Sequence, residues 1–177
     1  MKRGQVWIET VIYTLVGLAL IGLVLGVVTP RINEYRDKAV IEQTISVMNS
    51  IDSVIKAIST DPGNARVIDV RIKEGVISVD SENEKISYLL EDSDIVYSEE
   101  GIETQIGNID VLTSKVGDRV DVMLSLDYSG RFDIVEEADS ERIFAPSPVP
   151  YRFRFENIGL LEGGDFYRID FREISSG

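Results

Sequence analysis

From Thr10 to Val28 the chain carries no charged side chain, and this uninterrupted apolar run constrains the sequence more than any other stretch. At 1.5 Å per residue a helix over it spans about 28 Å, close to the roughly 30 Å hydrocarbon core of a bilayer. The run therefore predicts a transmembrane helix. Ahead of it stand a basic pair, Lys2 and Arg3, then the small residue Gly4, then Gln5, Val6, Trp7 and Ile8, and finally a lone carboxylate, Glu9. A charge in the first turns of such a helix needs compensation. At the bilayer centre a charged side chain costs about 2.5 to 3.5 kcal/mol, and less near the interface.

The order Lys2, Arg3, Gly4, Gln5, Val6, Trp7, Ile8, Glu9 resembles the start of archaeal type IV pilin precursors, which carry a class III signal peptide. The resemblance implies that a membrane prepilin (class III signal) peptidase cuts after Gly4. That would remove a leader of residues 1–4, leave Gln5 as the new N-terminus, and keep the apolar helix. An ordinary secretory signal is instead lost together with its apolar region. Glu9 falls on the fifth mature position, where pilins carry glutamate and archaeal flagellar subunits usually carry a small residue. The resemblance implies that Glu9 of an incoming subunit pairs with the N-terminal amine of its neighbour in a filament. Cleavage would create that amine, a cation at neutral pH with a reference pKa of about 8. Opposite charges 4 Å apart attract by about 4 kcal/mol at an effective dielectric of 20, enough to offset the membrane cost. Spacing alone leaves the neighbour open, because Gln5 and Glu9 of one chain also lie four apart on a helix face.

Composition narrows the remaining functions. Asp and Glu outnumber Lys and Arg 31 to 18, for a net charge of −13, and losing the two cations Lys2 and Arg3 would take it to −15. Such acidity argues against nucleic acid as a partner, since that binding depends on cationic contacts to phosphate. There is no cysteine and no histidine. Disulfides, thiolate metal sites, ordinary zinc sites and Ser/His/Asp triads are thereby excluded, and stability must come from packing. No cofactor and no enzymatic activity are expected. With 177 residues the chain can hold the anchor and one globular domain of ordinary size.

Read in order, residues 5–29 form the membrane or filament-core helix. Within it Gly22 and Gly26 make a small-xxx-small pair that would let two helices approach closely. Pro30 marks a kink or a boundary, since proline removes a helical hydrogen bond. Residues 30–60 continue as an amphipathic helix, with Ile41, Ile45, Met48, Ile51, Ile55 and Ile58 at spacings of three or four. Glu34, Arg36, Asp37, Lys38, Glu42, Asp52 and Lys56 fall mainly on its other faces. The apolar stripe is either the core beneath the chain's own head or a surface for neighbouring subunits. Asp61, Pro62, Gly63 and Asn64 then form a turn cluster that closes the helix.

Residues 61–177 read as a β head. Apolar residues alternate at Ile68, Val70 and Ile72, at Ile86, Tyr88 and Leu90, and from Val120 to Tyr128. Period two means one buried face per strand, and hence an antiparallel sheet. Tyr151, Phe153 and Phe155 alternate with Arg152, Arg154 and Glu156, and Tyr167, Ile169 and Phe171 with Arg168, Asp170 and Arg172, predicting a hairpin across residues 159–164. Residues 145–150, rich in proline, form an extended connector before it. The acidic clusters around Asp80 to Glu84 and Asp92 to Glu100 lack the glycine that an EF-hand loop requires, so they read as solvated loops. The expected class is α+β: a long N-terminal helix followed by an antiparallel head. The alternative to a filament subunit is a non-polymerising, membrane-anchored surface binding protein. An anchored hydrolase would need carboxylates to converge in the head.

Overall fold

In the computed structural model one helix, α1 (Lys2–Ile58), runs for 57 residues, about 86 Å, and ten strands follow it. The structure describes residues 2–136, 141–160 and 165–174, and does not describe the side chains of residues 2–6 or of Pro30. The helix passes through Pro30 without a break. The carbonyl that a proline crowds and leaves without its donor belongs to the residue four earlier, here Gly26, whose lack of a side chain eases the local adjustment.

Two sheets pack around the C-terminal half of α1. The smaller has the order β1 (Ala65–Val70), β9 (Tyr151–Leu160), β10 (Tyr167–Glu173) and β7 (Phe132–Glu136). The larger has the order β4 (Thr104–Ile106), β5 (Ile109–Val116), β6 (Arg119–Asp127), β3 (Lys85–Ser93), β2 (Val76–Asp80) and β8 (Arg142–Phe144). The β9/β10 hairpin forms as the alternation predicts, while residues 161–164 of its loop lie outside the described residues. The antiparallel expectation needs one correction. β7 pairs with β10 in parallel. The turn after β6 carries the chain from the larger sheet to the edge of the smaller one, and β8 and β9 intervene before β10 arrives beside it.

The buried side of α1 and the inner faces of both sheets form one continuous apolar cluster. Ile41, Met48, Ile51, Ile55 and Ile58 are each at most 1% exposed, so the stripe is core beneath the chain's own head. Phe144 on β8 closes one margin between the sheets, with its ring 4.7 Å from that of Phe153 and 5.8 Å from that of Phe171. The helix closes the other, touching β1 and β9 on one side and β3, β5 and β6 on the other. Strands and helix run side by side. Val70 and Ile72 line a small cleft with Val40, Gln43, Thr44 and Val47, while Asn157 on β9 meets the helix end at Ile58. Thr44 to Ile58 is about 21 Å of helix, and Tyr151, paired with Val70, to Asn157 is about 20 Å of strand.

Two polar groups fix the helix in this bed. Asn157 is fully buried, and its Nδ2 donates to the Ile58 carbonyl at 3.0 Å while its Oδ1 accepts from Gly159 N. Its own backbone pairs with Gly63 and Asn64 in the turn after the helix. One side chain thus satisfies a carbonyl that the helix end leaves open and joins it to β9. Asp52 is the second, and here the sequence reading is corrected: it lies in the core at 6% exposure rather than on a solvated face. Its carboxylate accepts from Lys56 Nζ at 2.7 Å, Asn108 Nδ2 at 2.9 Å and the Tyr128 hydroxyl at 3.4 Å. Burial, then the Asp52 charge, pushes the Tyr128 phenol well above the ordinary tyrosine range. Gly75, at φ +67°, makes room elsewhere: a Cβ there would fall 2.4 Å from the Leu89 carbonyl oxygen.

Asn157→Leu keeps the volume but strands the Ile58 carbonyl, so it should cost about 1 to 3 kcal/mol in denaturant unfolding, with the slope unchanged. Burial also lifts the Tyr88 phenol, to about 12, with Glu74 and Asp37 adding to the effect. An unfolded tyrosine loses its proton near 10, so the folded state holds the extra proton between roughly 10 and 12. Stability should therefore fall as pH rises through that window, and Tyr88→Phe should flatten the loss in a melting series.

Candidate membrane anchor and assembly interface

The head covers only part of α1. A polar collar marks where the helix enters it: the Arg36 guanidinium pairs with Glu74, and the Asp37 carboxylate accepts from Ser93 Oγ at 3.2 Å and Asp94 N at 2.7 Å. Lys73 Nζ donates to Gln43 Oε1 at 3.3 Å about two turns further on. From Trp7 to Ile32 the described apolar side chains have no cover. Trp7 is 74% exposed, Leu18 61%, Leu23 66% and Ile32 58%. Burying a large aliphatic side chain is worth about 1.5 to 3 kcal/mol, so an unclad rod of this length requires another apolar medium. This is one helix long and apolar enough to cross a membrane, near the N-terminus.

Two threonine hydroxyls along the rod are met locally. Thr14 Oγ1 donates to the Thr10 carbonyl at 2.8 Å and Thr29 Oγ1 to the Leu25 carbonyl at 2.7 Å. Glu9 is exposed on the helix surface and is the one charged side chain between Trp7 and Val28. Lys2, Arg3, Gly4 and Gln5 continue the helical backbone, but their side chains lie outside the described residues. Open space surrounds Gly22 and Gly26, which the chain's own fold leaves uncovered. Between the end of the apolar run at Val28 and the collar at Arg36 there is about 12 Å of bare helix, with Ile32 and Tyr35 exposed.

Several of the head's carboxylates have structural partners. Asp80 accepts from the backbone of Glu82 and Asn83 at 3.0 Å and closes their turn, and Asp94 pairs with Arg119 at 3.2 Å. Arg142 bridges buried Glu136 and Glu173, at 3.0 and 2.7 Å, tying β8 to β7 and β10. Among the described residues, no group of three or more acidic side chains is placed to hold a metal ion. Sequence reasoning missed the collar, because Arg36 and Asp37 find partners in loops far along the chain. No protein-family model, curated protein or solved structure matches this chain.

Trp7 is the only tryptophan, at the end of the span where aromatic side chains favour the membrane interface. In bilayers, its emission should be quenched more by lipids brominated near the headgroup than by lipids brominated at the chain ends. The reverse order would place the span's end at the wrong depth.

Proposed function

We propose that the chain is the precursor of a structural subunit of an archaeal type IV pilus-like surface filament. It is held in the membrane by α1, processed after Gly4 by a prepilin (class III signal) peptidase, and then packed against copies of itself or related subunits through the same helix. The observation that carries this reading is the division of α1 into a clad and an unclad half. A tether needs to cross the lipid and stop, whereas here an unbroken helix carries a bare apolar surface from Trp7 to Ile32 straight into a head built around its other end. On leaving lipid, that surface is met by the same surface on neighbouring copies. Glu9, which has no cationic partner among the described residues, is tolerated in a filament core when the amine of Gln5 is freed next to it. The open surroundings of Gly22 and Gly26 suit close helix contact. The head then lies on the filament exterior, with the excess negative charge of the chain facing solvent.

The mature protein should begin at Gln5 by mass spectrometry, and Gly4→Phe should leave the precursor uncut. Glu9→Gln should be processed normally yet yield few or no filaments by electron microscopy. An uncut N-terminus on a chain that never enters fibres would instead support an anchored surface binding protein.

A further inference from the structure

The outer face of the smaller sheet carries its charges in an order that does not serve the isolated head. Residues paired across strands share a face, and Phe153, Phe155, Ile169 and Phe171 point into the core. The residues between them therefore form the outer side, on which Arg154 and Glu156 are part-exposed while Asp170, 6% exposed, is largely covered within its own chain. There Arg154 on β9 lies directly opposite Arg172 on β10, and Glu156 lies directly opposite Asp170. Like charges face each other across the strands, an arrangement that destabilises a sheet, although exchanging Arg172 with Asp170 would have made both cross-strand pairs complementary. The charges are compensated along each strand instead, Arg154 by Glu156 at 2.7 Å and Arg172 by Asp170 at 2.9 Å. The result is a cationic band beside an anionic band, both running across β9 and β10. The mixed pairs Arg152 with Asp69 and Arg168 with Asp133 lie on either side. Four arginines and four carboxylates leave this face neutral in a chain of net charge −13.

We propose that this banded face docks onto the same face of a second copy, with the strands of the two copies running in opposite directions. A two-fold axis lying across the strands, between the bands, places Arg154 of one copy over Glu156 of the other and Arg172 above the largely covered Asp170, so each band meets its opposite and Arg154 with Glu156 supplies the accessible pairs. The parallel arrangement sets Arg154 over Arg172 and Glu156 over Asp170, and is repulsive. Bands of this kind therefore select the antiparallel contact and reject the parallel one. Half-exposed Val67 and Ile158 supply apolar contact beside the bands. β9 runs along α1 in the same direction, so antiparallel heads have helices pointing opposite ways. Copies in one membrane cannot pair through this face. Copies on two apposed surfaces can. Exposed ion pairs contribute little singly, so the contact becomes effective only where many copies are arrayed.

The test uses the full, unprocessed chain in phosphatidylcholine vesicles, so it is independent of the filament reading. Wild-type vesicles should cluster by light scattering, relative to protein-free ones. Arg154→Glu and Glu156→Arg should each lose clustering alone, and vesicles carrying one variant should cluster when mixed with vesicles carrying the other. The double variant R154E/E156R, which keeps an ion pair within each copy, should cluster with itself. Absence of wild-type clustering, undiminished clustering by either single variant, or failure of both the mixture and the double variant to recover it would overturn the proposal.

Discussion

The fold depends on the burial of one helical stripe. Ile41 to Ile58 lies between two sheets that otherwise meet along the margin closed by Phe144, and without that stripe the inner faces of β3, β5, β6 and β9 would be left partly open to water. Apolar burial is non-directional and would tolerate a helix shifted by a turn. Direction comes from two buried polar groups. Asn157 fixes the end of the helix, and Asp52 fixes its rotation by meeting Tyr128, just after β6, and Asn108, in the turn between β4 and β5. A displaced helix would strand these groups, at far greater penalty than the apolar contacts would register.

The same helix therefore has two environments. Beyond the collar its partners are supplied by the chain; before it they are not. Because the backbone is continuous through Pro30, the two halves are not independently oriented, and the azimuth at which the head sits is set by the same helical turn that places Glu9, Gly22 and Gly26. In the proposed filament, the packing of the bare half would therefore also dictate which face of the head points outward.

Much of this was legible in the sequence because burial on one side writes a period. The charge-free run and the isoleucine spacing gave the helix, and alternation at Val120 to Tyr128 and Tyr151 to Phe155 gave strands, all of them found. Asp52 was misjudged because its charge was weighed above its position. It follows Met48 by four and Ile45 by seven, which sets it inside the stripe, and that spacing was the available signal. The parallel pairing of β7 with β10 left no trace, since period two is the same for either direction. The charge bands were equally hidden: alternating arginines were plain, but which residue stands opposite which depends on register, and register depends on the hairpin's bulge between Tyr167 and Ile169.

One geometric feature has a mechanical side. The strands of the head lie along the helix, from the collar near Arg36 to the clamp at Ile58. Tension applied between the head and its root thus acts in shear, spread over ladder bonds and stripe contacts that must yield together, instead of peeling them apart one by one. With no cysteine to bolt the layers, this alignment is how a chain of this composition can withstand being pulled.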